Sequence, residues 1–155
     1  MKCIRRYLRP VLLLAILFPS AYVAWDHRDM PNLAKWHDDA VYFLTGKALA
    51  EGQGYRIISL PHEPYQTKYP PLYPSFLSLV WRVNPSFPAN LPLATLSSWL
   101  AVPFLLTAFW SYTKQLGFSA RDCWIFCSLL GWNAYLAMFG ISLLSEVWFT
   151  VLLLS

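Results

Sequence analysis

The chain has 155 residues, of which 57% are hydrophobic, 17% aromatic and only 13% charged. Soluble domains carry roughly 25% charged residues, so the composition excludes an ordinary water-soluble domain as the first reading and favours a membrane protein. The net charge of +4 is no nucleic-acid footprint: Lys2, Arg5, Arg6 and Arg9, four of the twelve basic residues, crowd beside an apolar run, the positive-inside signature of a cytoplasmic amino terminus.

The first apolar segment covers about residues 7–25, YLRPVLLLAILFPSAYVAW. Its basic flank also suits a secretory signal peptide, but cleavage after Ala24 would put Tyr22 where a small residue is wanted. It is therefore expected to be a retained first span, kinked near its outer end by Pro19. Residues 26–69 follow as a polar stretch holding six of the eight acidic residues and all three histidines. Within it, Asp39 to Glu51 reads as a short helix with Val41, Leu44 and Ala48 on one face, ended by Gly52 and Gly54. Too short and polar to cross a bilayer, it is expected to lie along the membrane surface.

Eight of the twelve prolines fall in residues 61–92, alternating with aromatic and aliphatic side chains. In KYPPLYPSFLSLVWRV the prolines open an apolar run, the place where proline suits a helix, and a surface or re-entrant helix is expected. A second span is expected at about 91–112 and a third at about 123–141, joined by the polar turn TKQLGFSARD. SEVWFTVLLLS then begins a fourth near Val147 and stops at less than half a span. The chain is thus expected to be the amino-terminal part of a longer multi-span protein. Cys123 and Cys127, four apart on one helix face, read as small packing residues rather than as metal ligands.

Counting spans from an inside amino terminus puts residues 26–69 outside, Lys114 and Arg121 inside, and Ser145 and Glu146 outside again. Asp38, Asp39 and Glu146 would then share one side of the membrane. Each has a plain structural alternative. One aspartate of the pair can cap the surface helix, and Glu146 can be an interfacial turn residue, although an ionisable group at the edge of a span is a functional hypothesis by default. Lys68, in QTKYPPLYP, can hold a phosphate as a point charge or simply snorkel to the interface. Arg56 and His62 in the same loop are weaker candidates. Trp36, Tyr42, Tyr55, Tyr65, Tyr69 and Tyr73 suit interfacial anchoring or stacking on sugars. No phosphate-binding glycine loop, dinucleotide fingerprint or Ser-His-Asp arrangement is present.

In order and spacing, HDDAVYFLTGKALAEGQGY, TKYPPLYP and LLSEVWF resemble the membrane-embedded C-type (GT-C) glycosyltransferases. The nearest look-alikes are the protein O-mannosyltransferases (the glycosyltransferase family 39 type) and the bacterial lipid A aminoarabinose and galacturonosyl transferases. The resemblance covers nearly the whole chain, about residues 5–155. It implies an all-α, polytopic fold in which residues 1–155 form the amino-terminal part of the transmembrane domain, with short surface helices in the outer loop at about 26–83. It also implies an inner-membrane enzyme of a bacterial envelope that moves a sugar from a polyprenyl-phosphate donor to a protein, lipid or glycan acceptor on the periplasmic face, with inversion. On that resemblance Asp38 is the catalytic acid that orients or deprotonates the acceptor, with Asp39 in support. Lys68 and Arg56 meet the donor phosphate. Glu146, His37 and Tyr69 line the acceptor cavity, Glu146 being also the residue toward which a divalent metal would be placed. No other cofactor and no nucleic-acid partner is implied. A polytopic transporter or flippase subunit is the alternative from another class and a non-catalytic scaffold a third, but carriers place their acids in broken helices near mid-membrane, whereas these lie at span ends and in a loop.

Overall fold

The computed structural model describes residues 2–29, 33 and 35–155, with the side chains of residues 2–8 and 37 outside that description. Among the described residues eight helices form in chain order: α1 (Lys2–Asp26), α2 (His37–Ala50), α3 (Leu72–Val83), α4 (Leu91–Trp99), α5 (Ala101–Gln115), α6 (Ala120–Gly131), α7 (Ala134–Ile141) and α8 (Glu146–Leu154). Among the described residues there is no strand, only an isolated antiparallel bridge between Arg56 and Tyr65. The all-helical expectation holds. Among the described residues two helical segments are long and apolar enough to cross a membrane, Arg9–Asp26 and Leu91–Gln115. The second joins α4 and α5 across the single turn at Leu100. The first runs without interruption through Pro10 and Pro19, so Pro19 does not divide it.

The expected third span is not one straight helix. α6 and α7 meet at a bend of 62° and amount to a crossing only if taken together. Local chemistry accounts for the break. The Asn133 side-chain oxygen accepts from the backbone N–H of Tyr135 at 2.8 Å and of Leu136 at 3.4 Å, the work of an amino-terminal cap, so α7 starts afresh at Asn133. Trp132, at the end of α6, donates its indole N–H to the Ala15 carbonyl at 3.2 Å.

The chain divides into two compact units. One comprises residues 1–26, 99–140 and 146–155. Ile16, Val102, Leu105, Leu106, Cys127 and Val147 are buried together at its centre. Gly131 lets α1 and α6 meet almost backbone to backbone: a Cβ there would lie 2.4 Å from Ile16 Cγ2 and 2.7 Å from the Ile16 carbonyl oxygen. Cys123 and Cys127 are both buried, as their shared face requires. α6 opens on Ser119, whose hydroxyl accepts from the Asp122 N–H and donates to the Asp122 carboxylate.

The other unit comprises residues 27–98 and 141–145 and is built on α2 and α3. These run side by side in the same direction, for Tyr42 meets Tyr73 and, a turn later, Gly46 meets Leu77. Gly46 permits this approach, since a Cβ would sit 3.1 Å from both Leu77 Cβ and the Pro74 carbonyl. Phe43 packs on Trp81 with ring centroids 4.6 Å apart, and the Trp81 indole donates to the Phe43 carbonyl at 2.9 Å. The core face of α2 therefore differs from the expected one: Tyr42, Phe43, Thr45, Gly46 and Ala48 are buried, whereas Val41 and Leu44 are only half-buried. Gly52, at φ +75°, closes α2 in the left-handed conformation that glycine adopts without strain. α3 begins directly after Pro70-Pro71, as the proline-opened run predicts.

Candidate functional site

Asp38 and Asp39 occupy the first turn of α2, and the structure gives them different work. Asp39 is 0% exposed. Its Oδ2 accepts from the backbone N–H groups of Lys35 and Trp36, each at 3.2 Å. Trp36 is the N-cap, so Asp39 supplies the carboxylate that reaches back to the cap and meets the positive end of the helix dipole. Capping belongs to Asp39. Asp38 lies half-buried on a different face, and the Tyr69 hydroxyl donates a short hydrogen bond to its Oδ1.

Tyr69 carries the next link. The Lys68 ammonium donates to the Tyr69 hydroxyl at 2.7 Å and lies 4.7 Å from the ring centroid. Lysine, phenol and carboxylate thus form one chain, Lys68 to Tyr69 to Asp38, joining residues 30 positions apart in sequence. The hydrogen bond to Tyr69, with the Asp38 carboxylate further off, holds the exposed Lys68 above the usual lysine range. Lys68 is therefore cationic at any physiological pH.

The loop and α2 fix this chain from behind. The Tyr55 hydroxyl donates to the Tyr69 carbonyl at 2.8 Å, and the Gln66 side chain accepts from the Lys68 N–H at 2.8 Å. The Tyr42 ring packs on Tyr69 with centroids 5.1 Å apart and edge-on against Tyr73 at 5.4 Å. Tyr42 and Ser145 share a hydrogen bond at 3.1 Å, and Tyr73 and Ser98 share one at 2.7 Å. Burial, with a smaller contribution from Tyr42, pushes the Tyr55 phenol up to about 12. Tyr42, Tyr55 and Tyr73, read from sequence as anchors or stacking surfaces, are the wall that aims Tyr69 at Asp38. A hydroxyl-to-carbonyl bond between Tyr55 and Tyr69 leaves no periodic trace in sequence, so their partnership was not readable there.

Arg56 donates to the Glu63 carbonyl at 2.9 Å and stacks on Tyr65 at 4.0 Å, so it braces the hairpin-like loop and is not part of the Lys68–Tyr69–Asp38 chain. His62 sits at the tip of that loop with φ +65°. Glu146 is exposed in the first turn of α8 and belongs to the other compact unit. The His37 side chain lies outside the described residues. Among the described residues no three His, Cys, Asp or Glu side chains converge as a metal site would require.

No protein-family model, curated protein or solved structure matches the chain.

Proposed function

We propose that the protein handles a lipid-linked phosphosugar at a membrane surface and transfers its sugar to an acceptor hydroxyl. The observation that carries this reading is the Lys68–Tyr69–Asp38 chain, which sets a permanent cation and a carboxylate one phenol apart. That spacing suits a reaction in which charge leaves one atom as a proton leaves another. The acceptor oxygen attacks the anomeric carbon and the sugar–phosphate C–O bond breaks. The bonding pair departs on the lipid phosphate, where Lys68 neutralises it. The acceptor proton goes to Asp38, a base held in place by Tyr69. Tyr69 is a positioning residue for both partners.

All three groups lie outside the two segments apolar enough to cross a membrane, which supports surface chemistry over a mid-membrane carrier site. The outer-face location, the polyprenyl nature of the lipid and the inverting outcome come from the sequence resemblance to GT-C enzymes and belong to the same proposal.

The test uses the protein in proteoliposomes with a polyprenyl-phosphate-linked sugar. Lys68→Ala is expected to weaken donor binding roughly ten- to hundredfold, the scale of one hydrogen bond to a charged group. Asp38→Asn is expected to leave donor binding within a few-fold and to lower transfer by about two to four orders of magnitude, the usual share of a positioned base. Donor binding indifferent to Lys68, or transfer that survives Asp38→Asn, would refute the assignment.

A further inference from the structure

The unit that contains α1, α5 and α6 carries two apolar grooves that share Trp124 as a wall. The larger, about 830 Å³ and open on one side, follows one stripe of α6 (Arg121, Ile125, Leu129, Trp132) with Leu12 of α1 facing it. The smaller, about 350 Å³, lies on the other side of Trp124 and is lined by Leu13, Leu106 and Trp110, with Arg9 at the α1 end. Each groove thus pairs a greasy trough with one arginine. Both arginines are near the start of the stretch over which α1 and α6 pack, since Arg9 lines a groove with Ala120 and Ile16 packs on Gly131 further along. Neither guanidinium has a hydrogen-bond or ion-pair partner among the described residues.

Length selects the occupant. Residues 121 to 132 of a helix rise about 16 Å at 1.5 Å per residue. That is close to the ~15 Å depth of one leaflet of a 30 Å hydrocarbon core. A groove of one-leaflet depth, apolar along its floor and cationic at one end, has the dimensions and polarity of a phospholipid lying along a helix. A protein helix would not need the arginine at the mouth. Basic pockets between membrane helices hold anionic headgroups for the same electrostatic reason. We propose that this face binds one anionic phospholipid, with its headgroup at Arg9 and Arg121 and its two chains on either side of Trp124. The proposal is independent of the sugar-transfer reading, for it uses no residue of the Asp38 cluster.

The experiment is tryptophan quenching by bromine-labelled lipids. The protein is reconstituted in phosphatidylcholine vesicles in which a minor fraction is brominated on the chains, either as phosphatidylglycerol or as phosphatidylcholine. Brominated phosphatidylglycerol is expected to quench in excess, with a relative affinity about five-fold higher per engaged guanidinium, the scale of one arginine near an anionic surface. Trp124→Phe combined with Trp110→Phe and Trp132→Phe, the other tryptophans of the two grooves, should remove most of the excess quenching. Arg9→Gln with Arg121→Gln should bring the two lipids to parity, while Arg121→Lys, which keeps the charge, should retain the preference. Equal quenching of the unmodified protein by both headgroups would overturn the proposal, whatever the variants do. So would a headgroup preference that survives loss of both arginines, or excess quenching that survives loss of Trp110, Trp124 and Trp132 together. If the groove instead takes a second copy of the chain, the lipids quench equally and the result is again a refutation.

Discussion

Replacing the two adjacent aspartates one at a time should separate stability from chemistry. Asp39→Ala deletes a fully buried carboxylate that accepts two backbone N–H groups at 3.2 Å each at the start of α2. Loss of an amino-terminal capping interaction costs about 1 kcal/mol, within roughly 0.5–2. Loss of a negative charge at the positive helix end adds about 0.3–2 kcal/mol. A sum of about 2–3 kcal/mol is expected, which for a chain of this size lowers the melting temperature by roughly 5–10 °C. Asp38→Asn, at a half-buried position where the Tyr69 hydroxyl can donate to an amide oxygen as well, should cost less than about 1 kcal/mol. The assay is thermal unfolding of the detergent-solubilised protein followed by helical circular dichroism, with donor binding and sugar transfer measured in parallel. If Asp38→Asn destabilises as much as Asp39→Ala, or Asp39→Ala leaves the melting temperature unchanged, the division of labour between them is wrong.

Gly131→Ala should destabilise despite a gain of about 1 kcal/mol in helix propensity. Its Cβ would meet the Ile16 carbonyl oxygen at 2.7 Å, backbone that cannot rotate away, and overpacking of that kind costs about 1–3 kcal/mol; a melting temperature that rises would refute the close approach of α1 and α6. Alkaline titration of tyrosinate absorbance should show one phenol ionising near 12, and Tyr55→Phe should remove that late phase. Because the folded-state value is raised, the protonated Tyr55 contributes its stability fully below pH 10 and loses it as pH rises through 12; a titration with no late phase, or a late phase retained by Tyr55→Phe, would contradict it. Tyr69→Phe removes the hydroxyl between lysine and carboxylate while keeping the ring on Tyr42. It should lower transfer at least ten-fold and shift its dependence on pH, with little change in melting temperature, whereas a purely structural role for Tyr69 would show the reverse.

The helices were legible where periodicity or punctuation carries them. α2 ends at Gly52 and α3 begins after Pro70-Pro71 because those residues restrict backbone angles locally, and a local restriction is visible in a string of letters. The break at Trp132–Asn133 was also encoded, since asparagine is a favoured cap, but it lies in so apolar a run that composition masks it. The buried face of α2 was misread for another reason. Its packing is set by where α3 approaches, and Gly46 allows that approach only because Pro74 and Leu77 arrive opposite it. Asp38, Lys68 and Tyr69 were each identifiable as candidates, yet the chain joining them depends on a fold of the intervening loop that brings position 69 back to position 38. The separate task of Asp39 follows from the same geometry: adjacent residues on a helix project about 100° apart, so only one of the pair can turn back to the cap.

The bend between α6 and α7 leaves two paths for the chain, a crossing or a re-entrant loop, and contacts inside the unit of α2 and α3 favour one. That unit contains Leu91–Ser98, the first part of the apolar segment ending at Gln115. Tyr73 bonds to Ser98 and packs on Tyr42, and Tyr42 bonds to Ser145. If residues 91–115 cross a membrane, the chain leaves this unit, reaches Gln115 on the far side, and is back at Tyr42 by Ser145. The bent pair is then expected to make the return crossing, since a re-entrant loop would leave Ser145 on the side of Gln115. Single cysteines at Glu63, Lys114 and Ser145, in a chain whose own cysteines are replaced by alanine, test this directly. With a membrane-impermeant thiol reagent applied to sealed vesicles of one orientation, Glu63→Cys and Ser145→Cys should react together and Lys114→Cys only after the membrane is opened. Ser145→Cys is half-buried and should react more slowly than Glu63→Cys, yet from the same side. Reaction of Ser145→Cys in company with Lys114→Cys would show that the α6–α7 pair does not cross, and would break the Tyr42–Ser145 contact along with it.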